Sequence, residues 1–543
     1  VINVITQSPS LTPTCRIMLR NNSNGLHRAD FRASNTFGKT GVFVGGYYAR
    51  RRNGFFEHSD MDKYAATFKV THALSSQTDI NFSLTYADLE TDMTGSLDSA
   101  SFFGGDVTSV QTFTERTVNA LRIQSTVNHD WSDQSSTTGR VFYRDNAIGQ
   151  IPSYRIRTDR SNGTVSGTIN ERAFQSVGGI VQHSQDLPAI NAKLIGGVSL
   201  DYSPTEFFED YILVNQNDEG INTGFTELDS ALTKNEIDLT NLGTYATFQI
   251  NPIKSLRLSA SLRYDRFEYN HRNFLTPSSF SGSPNASSTF DAITPKLGFT
   301  YDLNNNRGIY ANFAQGFVPP QVGELYRGVQ VPTLDASVYN NYEVGGWYSF
   351  RLSDRLQGYG NIAFYQVNAT NQIISVQLDD GTRENRNAGE TESRGVEYML
   401  SLNYSKQLQF RWSGSFARHE FVEFVENGNE YNGNEIPQGA NVQYNWEITY
   451  RPSFLGGFRL ALENQFLGPY WMNSDNTEEY EGFSLFNLRT GYRIKGFDVS
   501  FSVLNLSDEL WSPRANASRF GTTYTLGIPR TYQVGLAYNF GSL

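Results

Sequence analysis

Three consecutive arginines, Arg50, Arg51 and Arg52, follow Tyr47 and Tyr48 and precede Phe55 and Phe56. Guanidinium groups grip carboxylate and phosphate oxygens through paired hydrogen bonds, and aromatic faces attract cations, so such a cluster suits a bulky, anionic, oxygen-rich ligand. The same residue types recur at Tyr154 and Arg155, Tyr326 and Arg327, Tyr470 and Trp471, and Trp511 with Arg514, and Arg266 adds a further cation. Blander roles compete at every one of these positions. The arginines could meet membrane phosphates or solvent, and the aromatic residues could anchor strand ends or pack loops.

Signals for catalysis and for metals are weak. His27, His58, His72, His129, His183, His271 and His419 show no H-x-x-x-H or H-E-x-x-H spacing. Glu420, Glu423, Glu426 and Glu430, or the stretch Asn217-Asp218-Glu219-Gly220, could face a divalent cation, yet neither repeats the alternating oxygen ligands of a calcium loop. There is no G-x-S-x-G and no phosphate-binding P-loop; only a triad assembled in space would leave room for a lipase. Cys15 is the single cysteine, so no intramolecular disulfide forms, and its alternation with Ile17 and Leu19 reads as a small apolar residue on a strand face. No cofactor is called for, and the reading is that of a non-enzyme.

The elements that must position these groups are strands. Leu256, Leu258, Ala260, Leu262 and Tyr264 alternate with Arg257, Ser259, Ser261, Arg263 and Asp265, which puts a greasy set on one face and a wet set on the other. Tyr532, Val534, Leu536, Tyr538 and Phe540 do the same against Thr531, Gln533, Gly535, Ala537 and Asn539. About 22 such segments can be counted between residues 12 and 540, an even number within the range of outer-membrane barrels. Between them, compact turns such as Ser75-Ser76-Gln77, Ser132-Asp133-Gln134, Asn304-Asn305-Asn306, Ser353-Asp354-Arg355 and Ile494-Lys495-Gly496 take turns with long connections. The largest of those are 90–116, 204–238, 270–291, 318–337, 422–440 and 507–528. Segregated loops of this kind fit short periplasmic turns and long extracellular loops.

Composition agrees. Mean hydropathy is −0.45 and no apolar run approaches the ~20 residues of a spanning helix, so a helical membrane protein is excluded, whereas a barrel needs only every second residue to meet lipid. The 30 Tyr and 38 Phe suit interfacial girdles. A net charge of −11 argues against nucleic acid as a partner. No composition break divides the 543 residues, so one body is expected: an all-β, 22-stranded antiparallel transmembrane β-barrel over 12–543.

Several blocks then resemble one family, the TonB-dependent outer-membrane receptors. VINVITQSP at 1–9 is similar to the end of that family's plug, and Leu262-Arg263-Tyr264-Asp265 resembles its "GLRYD" strand. Thr294-Pro295-Lys296-Leu297-Gly298, Tyr310 to Phe317, Pro319-Pro320 and Gly323-Glu324-Leu325-Tyr326 look like "SPKLG...YASYSQGFRPP...ELY". Asn341 to Gly345, Asn387-Ala388-Gly389, Arg394 to Glu397, Asn505 to Asp508 and Pro529-Arg530-Thr531 follow in family order. The stretches 93–116 and 196–207 look more like the ferric-citrate and siderophore branch than the cobalamin branch.

The resemblance implies a monomeric receptor in the outer membrane of a Gram-negative bacterium, importing a ferric siderophore or ferric citrate-like chelate. The arginine and aromatic residues above would then line its mouth. Implied partners are outer-membrane lipid and lipopolysaccharide, the barrel-assembly machinery, and the TonB-ExbB-ExbD complex, reached through a plug segment. Alternatives are a receptor for cobalamin, haem or an oligosaccharide, or a passive porin. Residues 1–11 are expected to be the end of the plug and its linker. Val1 in place of Met, no leader, and nearly all of the plug and the TonB box missing lead to the expectation of a truncated or processed start. Gly541-Ser542-Leu543 follow Phe540, where the family tends to end on the aromatic residue. On this reading the chain alone, refolded in detergent, conducts ions through a wide pore, and silent bilayer recordings would count against the arrangement.

Overall fold

The computed structural model describes residues 6–159, 161–377, 383–426, 428–518 and 521–541. Val1 to Ile5 of the opening motif, and Ser542 and Leu543, lie outside the described residues. Backbone amides and carbonyls in lipid have no water to bond, so strands cross only as a closed sheet. That is the observed solution: 22 antiparallel strands close into one barrel. In chain order they are β1 Thr14–Asn22, β2 Leu26–Phe37, β3 Thr40–Arg51, β4 Met61–Ala73, β5 Thr78–Asp92, β6 Glu115–Ser132, β7 Ser135–Gln150, β8 Val165–Leu187, β9 Ala192–Gln216, β10 Asn222–Ile253 and β11 Leu256–Asn273, followed by β12 Ala286–Asn304, β13 Arg307–Val318, β14 Ser337–Arg351, β15 Leu356–Gln377, β16 Arg383–Tyr404, β17 Leu408–Glu423, β18 Val442–Tyr450, β19 Phe458–Leu467, β20 Phe483–Ile494, β21 Phe497–Leu504 and β22 Thr531–Phe540. The first and last strands seal the ring, with Cys15 opposite Phe540 and Asn22 opposite Gln533.

The alternation read from the sequence maps onto the two walls. Tyr532, Val534, Leu536 and Phe540 of β22 face outward and are exposed, as are Leu262, Ile293 and Leu297 on β11 and β12. The intervening residues face the lumen, where charges pair: Arg263 with Asp265 at 2.6 Å, Arg459 with Asp498 at 2.6 Å, and Arg28 with Asp30 at 2.6 Å. Cys15 shares the outward face with Ile17 and Leu19 and is a free thiol. Residues 6–12 run along β2 to β4. Ser10 N–H donates to Ser34 Oγ at 2.7 Å, Thr36 Oγ1 donates to the Ser10 carbonyl, and Lys69 Nζ donates to Thr6 Oγ1.

Strand heights depart from expectation. The segment 204–238, read as a loop, is mostly strand, because β9 and β10 run 25 and 32 residues and turn only at 217–221. A crossing needs about 9–11 residues, so roughly 20 residues of β10 stand beyond the bilayer. Pairing persists there through backbone bonds that need no apolar alternation, with register shifts near Asp210 and Gln216 absorbing the irregular sequence. At the tip, Asn217 Oδ1 accepts from the Glu219 and Ile221 amides, and Gly220 sits at φ +82°. The segments 90–116 and 507–528 likewise hold structure of their own: helix α1 Ser99–Gly104 and the short strands Leu97–Asp98, Ala515–Ser518 and Gly521–Tyr524.

Adjacent residues Lys296 and Leu297 test the two-walled assignment. Leu297→Lys places a cation in lipid and should lower unfolding stability by about 2–4 kcal/mol, whereas Lys296→Leu on the lumen side should shift it by less than about 0.5 kcal/mol. Denaturant titration in lipid vesicles gives both values; equal shifts would reverse the assignment of faces.

Candidate functional site

Loops at the extracellular end fold onto one another before they offer anything to a ligand. Asp98 caps α1 by accepting from the Ser101 amide at 2.8 Å, which fixes Phe102 flat against Tyr524 at 4.6 Å. Around that pair pack Phe56, Tyr470, Met472, Tyr480 and Phe483, so four loops share one apolar core. Tyr470 is 4 % exposed, and its hydroxyl accepts from the Ala515 amide at 2.9 Å. Trp511 rests on Phe483 at 4.8 Å and donates Nε1–H to the Ile528 carbonyl. Trp471 is half-buried, its carbonyl bonded by the Gln438 amide, while Arg514 is exposed.

A second core holds the loop 319–336. Helix α2 Val322–Tyr326 begins at a capping box in which Glu324 accepts from the Gln321 amide at 2.7 Å. Leu325 and Tyr326 then insert against Ile237, Tyr269 and Leu334. The Tyr326 ring stacks on His271 at 4.5 Å, tilted by 5°, and its hydroxyl donates to Ser288 Oγ. The Tyr326 carbonyl sits 2.4 Å from where a Cβ on Gly282 would be, and Gly282 has φ +90°, so only glycine fits there. Arg327 is exposed beside this core.

The arginine triplet is split by the strand. Arg50 and Arg51 point to opposite faces of β3; Arg51 Nε donates to the Ser59 carbonyl at 2.6 Å, and Arg52 pairs with Asp62 and, at 3.6 Å, with Asp60. Tyr48 donates to the same Asp62 at 2.5 Å on the outer wall. Arg266 is on the outer wall too, paired with Glu268 at 2.7 Å and Asp291 at 3.7 Å. Among the acidic loop residues, Glu420 is held by Arg418 at 2.5 Å and Arg394 at 3.4 Å.

Tyr154 and Arg155 are brought to a wall that sequence reasoning missed. Arg116, Gln150, Asn170 and Glu209 lie directly opposite one another across β6 to β9. Arg116 donates to Gln150 Oε1 at 3.0 Å, Gln150 Nε2 donates to Asn170 Oδ1 at 3.0 Å and, at 3.4 Å, to the Tyr154 hydroxyl, and Arg155 approaches Glu209 at 3.8 Å. Two residues along β8 and β9, the exposed Arg172 guanidinium lies over the Phe207 ring at 5.1 Å. Below, Arg144 is bonded to Ser176 and Asp201 between the rings of Phe142 and Phe174. This lumen-side band offers planar cations and aromatic faces together, the pairing that holds anionic oxygen-rich groups. No motif marks it, since its members come from four strands and only the pairing register aligns them.

Electrostatics at the mouth follow burial. Burial, with Asp229 and Glu227 nearby, raises the Asp210 carboxyl, and burial pushes the Tyr269 hydroxyl up to about 12, so that phenol stays protonated. His271 is 2 % exposed; burial lowers its pKa although the Pro284 carbonyl, 3.3 Å from Nδ1, works the other way. The neutral ring is therefore the folded form. The unfolded chain takes up the proton first as pH falls, so the stability contributed by neutral His271 is whole above about 6.5 and drains away as pH drops through the lowered folded value. Hydrogen exchange of 319–336, corrected for intrinsic rates, should accelerate on acidification below about pH 6 in the wild type and less in His271→Phe. The same acceleration in both proteins would remove His271 from the account.

With this geometry in view, relatives agree on its type. Residues 17–506 match the family described as TonB dependent receptor-like, beta-barrel. A probable TonB-dependent siderophore receptor, PiuA, from Acinetobacter baumannii is 24% identical over 287 residues, 49% of this chain and 36% of that protein. The rhizobactin receptor of Rhizobium meliloti is 22% identical over 322 residues, 52% of this chain and 40% of that protein. The chain thus spans well under half the length of these relatives. Among solved structures, the siderophore receptor PiuA from Acinetobacter baumannii superposes with a TM-score of 0.81 at 14% identity, over 98% of this chain and 82% of that one. The ferric citrate transporter FecA in its unliganded form gives 0.80 at 17% identity, over 98% and 80%. At such identities these two likenesses speak for the fold alone. The chain belongs to the TonB-dependent receptors, and it is their β-barrel, set in the outer membrane of a Gram-negative bacterium.

Proposed function

We propose that this barrel is the wall and mouth of a receptor that imports a ferric chelate, energised through TonB. Family membership carries the reading, and the band where Arg172 lies over Phe207, beside Arg116, Tyr154 and Arg155, supports it. Relatives named as siderophore, rhizobactin and ferric-pyoverdine receptors favour an iron chelate over other bulky nutrients.

In this proposal the chelate's anionic oxygens meet Arg172 and Arg116 while Phe207 and Tyr154 cover its flat faces. Arg327 and Arg514, exposed beside the two loop cores, act as outer collectors. Residues 1–11 are the last part of a plug, and the TonB-ExbB-ExbD complex pulls on that plug to open the lumen. Binding and release change no covalent bond.

A deletion strain grown on a panel of iron chelates, with and without the receptor gene, tests the import. Growth restored on one chelate is expected, and Arg172→Ala should weaken binding of that chelate about tenfold in a fluorescence or radiolabel assay while the barrel still folds. Equal growth on every chelate with and without the gene would end the iron reading.

A further inference from the structure

Three of the histidines form a row that the mouth does not use. His72, His129 and His183 lie at the turn end of β4, β6 and β8, on the outward wall. Each faces a threonine on the neighbouring strand: His72 opposite Thr40, His129 opposite Thr78, and His183 opposite Thr137. In all three the threonine Oγ1 meets the ring Nδ1, at 2.8, 2.8 and 2.9 Å. Across β3 to β8 the pattern therefore reads Thr, His, Thr, His, Thr, His. The same contact thus recurs across six adjacent strands.

The chemistry of the pairs turns on the imidazole tautomer. Trp131 Nε1–H donates to Thr137 Oγ1 at 2.9 Å, and the same hydroxyl meets His183 Nδ1 at 2.9 Å. An imidazole that accepts at Nδ1 carries its proton on Nε2. Nε2–H is then the free donor of the ring; at His183, Ser135 Oγ lies 3.4 Å from it. Trp131 also packs edge-on against His129 at 4.3 Å, the posture of a ring at a lipid-water boundary.

Position fixes what these donors meet. The outward residues two positions before His129 and His183, Val127 and Val181, are exposed apolar side chains, and Phe68 precedes His72 by four positions on the same face. At ~3.3 Å per residue along strands tilted by about 35–45°, His129 and His183 lie about 5 Å nearer the rim than Val127 and Val181, and Trp131, exposed two residues beyond His129 on the same face, marks that level as the interface. The short turns after β4, β6 and β8 mark that layer as the periplasmic one. Charged neighbours on this rim are Lys39, Asp130, Asp133 and the Asp186 to Lys193 pair at 3.4 Å; Asp79 faces the lumen, bonded by Asn81 and Asn128.

We propose that His72, His129 and His183 form a binding surface for phospholipid phosphodiesters of the periplasmic leaflet. Each threonine presets the tautomer, and each Nε2–H donates to a phosphate oxygen.

The whole chain, extracted into a maltoside detergent that holds no phosphate, allows the test. Native mass spectrometry after addition of phosphatidylglycerol should show bound lipid on the wild type and about fivefold less on His72→Gln/His129→Gln/His183→Gln. Heat-modifiable electrophoretic mobility checks that the variant barrel is folded. In [15N]histidine spectra the lipid should shift the Nε2 signals of these rings, whereas millimolar inorganic phosphate should not. Unchanged lipid retention in a folded triple variant would overturn the proposal, and so would equal shifts from inorganic phosphate, which would make the surface a plain anion site. If the triple variant does not fold, Thr137→Val substitutes for it, and no loss of lipid at that variant together with unmoved histidine signals in the wild type is the overturning result.

Discussion

Everything in this molecule hangs on the ring of backbone hydrogen bonds that has no first and no last member. Lipid offers nothing to an amide, so a single unpaired edge would expose a column of donors and acceptors, each costing several kcal/mol. The pairing of β1 with β22 removes that column. Once the ring is closed, side chains are relieved of holding the wall together. They divide the remaining labour by parity, apolar outward and ionic inward, which is how a chain of mean hydropathy −0.45 lives in a membrane.

The mouth obeys a different economy. Most of its aromatic residues do not wait in solvent for a ligand; Tyr326, Tyr470 and Trp511 are held in the cores that keep the loops in place, while Tyr154 stays exposed. What remains accessible is a smaller set of cations over or beside rings, held by the strands themselves. A loop needs a core because it lacks the ladder, and the ladder can carry Arg172 and Phe207 without one.

The barrel was legible because its signal is local: a two-residue period, turn chemistry at Asn304 to Asn306, and block motifs such as Asn341 to Gly345 in family order. The height of β9 and β10 was not, because 204–238 carries few apolar alternations and pairing there depends on the partner strand. Tyr154 and Arg155 were found by type and proximity in sequence. Arg116, Asn170, Arg172 and Glu209 could not be, since their neighbourhood exists only after four strands take their register. Arg50 to Arg52 illustrates the converse, a conspicuous run in one dimension that parity scatters to two sides of a wall.

The unequal rim gives the receptor a topography. One side ends in strands of 8 to 10 residues and the other rises into a hairpin of 25 and 32. For a solute approaching from outside, the crest of that hairpin is the part that reaches furthest along its strands from the bilayer. On the proposed reading, wandering along a surface would then replace searching through a volume, since the slope of β9 leads down to Phe207 and Arg172. In the proposed import the crest would work as an antenna, enlarging the target that a scarce molecule has to hit.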